Sequence, residues 1–279
     1  MNTIHPSAII GQHVQLGDGN DIGPGCLIED GVALGSSNRL WMNVYVGPGT
    51  TMGDANQIHM GAVLGHLPQD LAFTGEPSFT EIGHRNTIRE YVTVHRGTKP
   101  GTATVIGDGN FLMANAHIAH NCQVGSKTIF ANLTTLAGYC AVEDEVVLSG
   151  MVVVHQFVRI GQLAIVSGLS AVIKDVPPYL LCAGRPAVIR GLNVIGLRRA
   201  SIPAPARDEL KQAYRFLYRQ GLNVSNALEA IERSCHTEET KRLVAFVRAS
   251  KRGICAGLGE AMETVGPRKL MGAMEAKAV

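Results

Sequence analysis

The chain has 279 residues, 46% of them hydrophobic and 17% charged, which is enough apolar material for one large and one small domain and excludes disorder throughout. Its six cysteines form no Cys-x-x-Cys pair and no dense framework, so disulfides and structural zinc have little support. The net charge is only +2, but residues 1–179 carry 8 Lys and Arg against 14 Asp and Glu, whereas residues 180–255 carry 14 against 6.

The amino-terminal sequence MNTIHPSAII lacks the basic region and long apolar region of a secretory signal. No run of about 18 apolar residues occurs further along the chain, so stable insertion into a membrane is not expected. The sequence therefore predicts a cytoplasmic protein with reduced thiols.

From Ile4 to Val172 a large apolar residue recurs at every sixth position. Of the 29 positions in this register, only Asp70, Glu76 and Pro100 break the pattern. A period of six does not match the helical period of 3.6, but it fits short strands joined by turns, each repeat placing one large side chain inside. The pattern predicts a repetitive all-β structure.

A longer repeat, of three hexapeptides, is superimposed on the six-residue repeat. The residues that recur at this spacing are glycines and asparagines: Gly17, Gly35, Gly53, Gly107, Gly125 and Gly161, and Asn20, Asn38, Asn56 and Asn110. Three hexapeptides therefore make one coil of a three-sided prism, with coils about 4.8 Å apart. The recurring residues are expected to stack at a corner where positive φ is tolerated.

Two segments, near 66–81 and 97–104, keep the register but lose its apolar residues. Extra residues that leave the register unchanged indicate loops that project from a continuous prism. Loops on a rigid scaffold often carry functional residues, so both segments are candidates for part of a site.

The repeats stop after Val172, at DVPPYLLCAGRP, where prolines break the coil. The sequence thus predicts a parallel β-helix over residues 1–180 and an α-helical domain over residues 181–255. Three helices are expected, in ARDELKQAYRFLYRQG, SNALEAIERS and TEETKRLVAFVRASKRG, the last with Thr237 as N-cap and Gly253 as C-cap.

The excess of positive charge in the predicted helical domain indicates an acidic partner. Nucleic acid is the competing partner, and a merely solvated helix surface is the simplest alternative. Residues 256–279 follow no clear pattern and are expected to form a flexible tail.

Eight motifs occur in a fixed order along the chain: IHPSA, QDLAFTGEP, IREYVTVHRGT, HIAHNCQVG, LAGYCAV, VHQFVRIG, DVPPYL and GLNVIGLRR. In these motifs the chain resembles the hexapeptide-repeat acyltransferases, and within them the acyl-ACP:UDP-N-acetylglucosamine O-acyltransferase family, which begins lipid A biosynthesis. The resemblance implies a left-handed parallel β-helix, three hexapeptides per coil, followed by a small α-helical carboxyl-terminal domain.

The same resemblance implies transfer of an acyl or 3-hydroxyacyl chain from acyl carrier protein to the 3-position of a UDP-sugar. It implies a homotrimer with active sites between neighbouring prisms, and a carboxyl-terminal domain that helps to bind acyl carrier protein. No nucleic-acid partner is implied, and no cofactor other than the phosphopantetheine that arrives on the donor.

The motif HIAHNC contains His120, which the resemblance identifies as the general base. A sugar hydroxyl is a weak nucleophile at neutral pH, and an imidazole can take its proton during attack on a thioester. Position 138 lies one coil beyond position 120, so Gly138 is a candidate donor of an exposed N–H to the oxyanion, and the resemblance points to it too. Asn121 is expected to hold the imidazole through its carbonyl.

The resemblance also implies a set of substrate contacts. Those expected at the sugar, the nucleotide or the phosphate are Asp70, His95, His117, His155, Gln156, Asn193 and Arg199, and those expected to shape the acyl groove are Gly150 and Gly168. A glycine at 168 leaves room for a longer acyl chain. The alternative for each polar residue is an ordinary exposed position on the prism.

Other roles are open for the histidines of this region. His95, His117 and His120 could together bind zinc, as in related β-helix carbonic anhydrases, although the surrounding motifs match the transferases. A purely structural role for His117 and His120 is the second alternative. Cys122 and Cys140, one coil apart, are expected to be buried core thiols rather than nucleophiles.

Four residues depart from the family pattern: Asn121 replaces an aspartate, Ala72 a lysine, and Tyr139 and Pro186 each a histidine. Asn121 brings no charge to stabilise an imidazolium, so a weaker base is expected. The acceptor is therefore either UDP-N-acetylglucosamine or a variant sugar such as a 3-amino analogue, because a neutral amine attacks before it loses its proton. A paralogue that binds without catalysis is the third hypothesis.

Overall fold

A computed structural model describes residues 1–258, most of which form a left-handed parallel β-helix. Twenty-six short strands build it: β1 Thr3–Ile4, β2 Ile9–Ile10, β3 Gln15–Leu16, β4 Asp21–Ile22, β5 Leu27–Ile28, β6 Ala33–Leu34, β7 Arg39–Leu40, β8 Tyr45–Val46, β9 Thr50–Met52, β10 Gln57–Ile58, β11 Val63–His66, β12 Phe79–Ile82, β13 Thr87–Ile88, β14 Thr93–His95, β15 Ala103–Ile106, β16 Phe111–Leu112, β17 His117–Ile118, β18 Gln123–Val124, β19 Ile129–Phe130, β20 Thr135–Leu136, β21 Ala141–Val142, β22 Val147–Leu148, β23 Val153–Val154, β24 Arg159–Ile160, β25 Ile165–Val166 and β26 Ala171–Val172. The predicted fold class is confirmed.

Every third strand pairs in parallel with the next, which produces three flat faces. Face A runs from β1 through β4 to β25 and continues into β27 (Leu180–Gly184), face B runs from β2 to β26, and face C from β3 to β24. Most pairs join equivalent positions of adjacent coils, as in Thr3 with Asp21. The pairs of Gln57 with Thr87, and of Thr87 with Phe111, instead span more than one coil of sequence. The additional residues leave the prism, in segments 67–78 and 96–102.

The interior of the prism is filled by the apolar residues of the six-residue register. The largest fully buried side chains all occupy that register: Phe130, Ile22, Ile28, Leu40, Ile58, Leu64, Ile88, Ile106, Leu112, Ile118, Leu136 and Leu148. Each is stacked over the residue of the coil below, so the core is a continuous column along the axis. All six cysteines are buried, and Cys122 and Cys140 lie in the core as expected.

Asparagines stack along one corner and bond to the backbone of the next coil. The Asn38 N–H donates to Asn20 Oδ1 at 2.9 Å, and the Asn56 N–H donates to Asn38 Oδ1 at the same distance. The expected positive φ lies elsewhere, at the preceding residues such as Ser37, with φ 59°. Gly35 is needed for close approach instead, because a Cβ there would lie 2.8 Å from the carbonyl carbon of Gly53.

The carboxyl-terminal part begins with an antiparallel hairpin and continues with four helices: β27 Leu180–Gly184, β28 Ala187–Leu192, α1 Val194–Arg199, α2 Ala204–Tyr218, α3 Val224–Ser234 and α4 Glu238–Arg248. Thr237 is the N-cap of α4, but its side chain makes no cap bond. The Glu209 carboxylate of α2 accepts the N–H groups of His236 and Thr237 instead, both at 2.8 Å. The expected C-cap at Gly253 was wrong, because α4 ends at Arg248 with Ala249 as its cap.

After α4 the chain returns to the prism. Ser250 Oγ donates to the buried Asp175 carboxylate at 2.7 Å, and the Cys255 N–H donates to the Asp175 carbonyl at 2.8 Å. No helix among residues 1–258 combines the length and apolar character needed to cross a membrane. The predicted tail at 256–279 lies, from residue 259 onward, outside the described residues.

Candidate active site

The two histidines of HIAHNC lie at the corner between faces B and C. Strand β17 ends at Ile118, whose side chain points into the core, while His117 points outward from face B. His120 and Asn121 form the turn that leads to β18, and Asn121 has a φ of 59°. Although they lie at a corner, His120 and Asn121 are only 6% and 8% exposed. The two projecting segments account for this burial, because both of them contact this turn.

His120 contacts three of the residues that sequence reasoning singled out. Its Nδ1 lies 3.1 Å from Asn121 Oδ1, and its Nε2 lies 3.6 Å from Asp70 Oδ2. The ring of Tyr139 meets the imidazole edge to face, with centroids 5.3 Å apart. The first projecting segment therefore places a carboxylate on one ring nitrogen, while an amide holds the other.

Gly138 lies one coil beyond His120, directly against its ring. A Cβ at this position would lie 2.5 Å from His120 Nε2 and 3.0 Å from Nδ1. The glycine is buried rather than exposed as expected, and no acceptor within residues 1–258 bonds to its N–H. Glycine is thus required here to make room for the imidazole, and it leaves a buried donor unpaired.

Threonines of the second projecting segment surround Asn121. The Thr98 N–H and Oγ1 both donate to Asn121 Oδ1, at 3.0 Å and 2.9 Å, and Asn121 Nδ2 donates to Thr102 Oγ1 at 2.9 Å. The Asn121 N–H donates to Thr104 Oγ1 at 2.7 Å, and Tyr139 Oη lies 3.1 Å from Thr98 Oγ1. Sequence reasoning missed these threonines, and their place in a predicted projecting loop was the one available signal.

His95 and His117 lie beside His120 as two further imidazoles, the first buried and the second half-buried. Their ring centroids are 4.8 Å apart, and the Gln69 N–H donates to His95 Nδ1 at 3.4 Å. Burial, with smaller effects from His117, His66 and His120, lowers the pKa of His95 to about 4. Burial also lowers the pKa of His117, with His120 adding to the effect. The His117 ring is also held by a hydrogen bond, since its Nδ1 lies 2.7 Å from Thr93 Oγ1. Because both pKa values are lowered, the side chains of His95 and His117 are neutral at neutral pH.

The histidine cluster does not form a metal centre in this part of the chain. Within residues 1–258, no three His, Cys, Asp or Glu side chains are placed so that they could hold a metal ion. The zinc alternative for His95, His117 and His120 therefore has no structural support here.

His155 and Gln156 lie one coil beyond Gly138, and two coils beyond His120, in the turn after β23. His155 Nδ1 lies 3.1 Å from the Gln156 carbonyl and 3.3 Å from Arg252 Nη2. Phe157, the next residue, stacks on Tyr139 with centroids 5.0 Å apart. Arg252 belongs to the segment that returns after α4, and no local sequence pattern connected it with His155.

Asn193 and Arg199 lie on a different face from the base. They line a groove of about 490 Å³ along face A, whose wall includes Ile129, Val147 and Ile165. Asn193 caps α1, since its Oδ1 accepts the Gly196 N–H at 3.0 Å. Arg199 is exposed and makes no hydrogen bond or ion pair with any residue of the described chain. The structure therefore does not bring these two residues to His120 within one chain.

Gly150 and Gly168 lie at the corner between faces A and B, at the opposite end of the face B strands from Gly138. A Cβ on Gly168 would lie 3.2 Å from the Gly150 carbonyl oxygen, and Met151 and Leu169 beside them are 49% and 55% exposed. Arg185, in the β27–β28 turn, donates from Nε to the Leu169 carbonyl. The two glycines thus lie beside exposed apolar side chains near this turn.

Two family models match parts of the chain. The six-repeat bacterial transferase hexapeptide matches residues 103–138, and the second domain of UDP N-acetylglucosamine O-acyltransferase matches residues 175–255. The first match covers coils that carry His117, His120 and Gly138, and the second covers the hairpin and all four helices.

Relatives named acyl-[acyl-carrier-protein]–UDP-N-acetylglucosamine O-acyltransferase match most of the chain. The protein of Paraburkholderia phymatum is 45% identical over 260 residues, which cover 91% of this chain and 99% of the relative. The Synechocystis protein is 45% identical over 190 residues, covering 68% and 69%. Crystal structures of UDP-N-acetylglucosamine acyltransferases from Francisella novicida and Moraxella catarrhalis superpose with TM-scores of 0.89 and 0.87, at 33% and 38% identity. They match 93% and 90% of this chain, and 96% and 99% of their own chains.

The contact between Gly138 and the imidazole yields a prediction. Gly138→Ala places a methyl group in the volume of the His120 ring, so the ring must move and turnover should fall about a hundredfold or more. The thermal midpoint should change little, because the ring can turn outward. Steady-state rates and melting curves check this, with Gly191→Ala as control because a Cβ there meets no atom within 4 Å. An alanine variant of full activity would show that the ring position is unimportant.

Proposed function

The chain belongs to the acyl-ACP:UDP-N-acetylglucosamine O-acyltransferase family, and we propose that it transfers an acyl chain from acyl carrier protein to the 3-hydroxyl of UDP-N-acetylglucosamine, the first step of lipid A biosynthesis. The observation that carries the proposal is the buried His120 imidazole, held at Nδ1 by Asn121 and with Nε2 directed toward Asp70. No resident cofactor is required, because the phosphopantetheine arrives on the donor.

His120 acts as the general base through Nε2, the nitrogen that Asn121 does not occupy. It removes the proton of the sugar hydroxyl as the oxygen attacks the thioester carbonyl, forming the new C–O bond. The resulting oxyanion accepts the unpaired Gly138 N–H. When the C–S bond breaks, the imidazolium returns its proton to the departing phosphopantetheine sulfur. Atoms and charges therefore balance without any other reactant.

Asp70, His95 and His117 bind the sugar around the base. The Asp70 carboxylate, 28% exposed, is a strong acceptor for a sugar hydroxyl beside Nε2. The neutral His95 and His117 present ring N–H groups without adding positive charge. His155 and Gln156, two coils beyond His120, extend the same surface toward the rest of the substrate.

A second copy of the chain completes the site. Face A carries an apolar stripe of outward side chains, from Phe111 through Ile165 to Leu181, next to the exposed Ile195. An exposed apolar stripe of this length marks a surface that packs against another protein surface. When face A of one copy packs beside the base corner of the next, Arg199 can meet the diphosphate of a sugar bound at His120. Repetition of this head-to-tail contact closes a ring, which the family resemblance makes a homotrimer.

The acidic partner is acyl carrier protein, and α2 is its docking site. Arg207, Lys211, Arg215 and Arg219 follow one another at four-residue spacing, which places them on one side of the helix. With Arg198 they rim a pocket of about 520 Å³ whose wall is apolar, and among the described residues that line it only Asp208 is acidic. A basic rim around an apolar floor suits an acidic helical protein that carries a hydrophobic chain.

A variant acceptor, the 3-amino analogue of the sugar, is the second candidate. It is favoured by one observation, the neutral amide at Asn121 in contact with the base. A neutral amine attacks before it loses its proton and needs less stabilisation of an imidazolium than a hydroxyl does. Ester and amide products distinguish the two acceptors.

We expect purified protein, incubated with acyl-ACPs of several lengths and either sugar, to yield an acylated sugar by mass spectrometry. His120→Ala should lower the ester rate about 10²–10⁴-fold. Asn121→Asp should raise the ratio of ester to amide, because an added negative charge helps only the acceptor that depends on the base. If no acceptor is acylated by wild type or by Asn121→Asp, the protein is a binding paralogue and the proposed transfer is wrong.

A shared site predicts complementation between two inactive variants. His120→Ala and Arg199→Ala, unfolded together and refolded, should regain about a quarter of wild-type activity, because some sites then pair an intact base with a neighbour's intact arginine. Each variant refolded alone is the control. If mixtures stay as inactive as the separate variants while mass measurements show mixed trimers, both groups act within one chain.

Charge reversal on α2 should weaken the donor alone. Lys211→Glu with Arg215→Glu should raise KM for acyl-ACP about tenfold at low salt and less at high salt, because screening reduces the attraction. KM for the UDP-sugar should not change. Arg85→Glu, an exposed cation in the turn between β12 and β13, is the control. An unchanged KM for acyl-ACP would place the docking site elsewhere.

A further inference from the structure

We infer that Thr98 is a positioning residue for the base, and that the hydroxyl of Tyr139 acts through it to hold the Asn121 amide against His120. The inference rests on the proposed role of His120 and deepens it. It starts from four side chains joined in a line: Tyr139 Oη to Thr98 Oγ1 at 3.1 Å, Thr98 Oγ1 to Asn121 Oδ1 at 2.9 Å, and Asn121 Oδ1 to His120 Nδ1 at 3.1 Å. The position of every proton along this line follows from its neighbours.

The orientation of the Asn121 amide is fixed first. The backbone N–H of Thr98 can only donate, so the Asn121 atom 3.0 Å from it is the oxygen. On the other side, Thr102 Oγ1 gives its single hydrogen to the Lys99 carbonyl at 2.8 Å. It therefore presents a lone pair to Asn121, which must be met by Nδ2, at 2.9 Å. Two independent contacts thus exclude the flipped amide.

The amide orientation then determines the protonation of the base. Asn121 Oδ1 has no hydrogen, so His120 Nδ1 must carry the proton that joins them. In a neutral imidazole the other nitrogen, Nε2, then bears the lone pair. This is the nitrogen that lies toward Asp70 and Gly138, where the substrate hydroxyl is expected. The loop thereby prepares the ring as a base before substrate binds.

The direction of the Tyr139 bond follows in the same way. If Thr98 gave its hydrogen to Tyr139, the oxygens of Thr98 and Asn121 would face each other at 2.9 Å with no proton between them. Thr98 therefore donates to Asn121, and Tyr139 donates to Thr98. Tyr139 is also held by stacking on Phe157, so the line is anchored at both ends.

The same contacts explain why an amide stands at position 121. A carboxylate would place an acceptor opposite the Thr102 lone pair, and the Thr102 hydroxyl would have to leave the Lys99 carbonyl to meet it. The segment 96–102 is therefore matched to asparagine. The network that holds Nδ1 consists of neutral hydrogen bonds, in which orientation takes the place of charge.

The test compares Thr98→Val, which keeps the backbone N–H and the shape but removes the hydroxyl, with Thr98→Ser, which restores it. Thr98→Val should lower kcat about tenfold and leave KM for the UDP-sugar within about twofold, since one oriented bond to the base network is lost. Thr98→Ser should recover to within about twofold of wild type. Thr51→Val, an exposed threonine of β9, is the matched control.

Two further measurements separate positioning from folding. Tyr139→Phe should lower kcat several-fold in wild type but have no effect in the Thr98→Val background, because its hydroxyl acts only through Thr98; Tyr91→Phe, on an exposed ring, is its control. In spectra of protein with ¹⁵N-labelled imidazoles, the His120 signals, assigned by His120→Ala, should show Nδ1–H in wild type. They should show the same tautomer in Thr98→Val, because the Thr98 N–H and Thr102 Oγ1 still orient the Asn121 amide.

The outcomes of these experiments are distinct. If Thr98→Val keeps full kcat, or if the wild-type ring carries its proton on Nε2, while His120→Ala is inactive, the base stands and the positioning inference is overturned. If Thr98→Val and Thr98→Ser lose the same activity, the hydroxyl is not responsible, and the inference is again overturned. If His120→Ala itself remains active, the proposed base is wrong, whatever Thr98 does.

Discussion

The repeat of three hexapeptides per coil is the constraint on which the rest of the structure depends. Parallel strand pairing places each residue over its equivalent one coil away, so a side chain suited to one level must also suit the next. The same stacking builds the apolar column, the asparagine ladder and the contact between His120 and Gly138. The placement of His120 against Gly138 is thus set by the backbone ladder.

Departures from the repeat are confined to whole hexapeptides. The insertions before β12 and β15 leave the faces in register, because any other length would turn apolar side chains outward. Both insertions leave the prism near one corner and return over it. One brings Asp70 to Nε2 of His120 and the other brings Thr98 to Asn121, so the regular coil supplies the His120 imidazole and the insertions supply its surroundings.

The surroundings of His120 and the surface of α2 differ in charge. Around the base, burial lowers the pKa values of His95 and His117, and position 121 is an amide, so Asp70 is the one carboxylate of residues 1–258 in contact with His120. A row of cations lies on α2, where a large acidic partner can reach it. A site of low charge favours neutral reactants, which short-range hydrogen bonds can orient. The cations of α2 instead can attract an acidic partner over a longer distance.

The sequence by itself determined the features that follow from its two repeats, the six-residue register and the repeat of three hexapeptides. The six-residue register predicted the core residues, and the longer period of one coil placed Gly138 beside His120, because equivalent positions must stack. Only the tertiary structure decided how Thr98 and Thr102 orient Asn121, how Arg252 reaches His155, and how Glu209 accepts the N–H groups of His236 and Thr237 at the start of α4. These contacts join segments of irregular conformation that lie far apart in the chain, and no spacing rule fixes where such segments meet. They depend on side-chain hydrogen bonds that form once the rigid coils have brought the segments together.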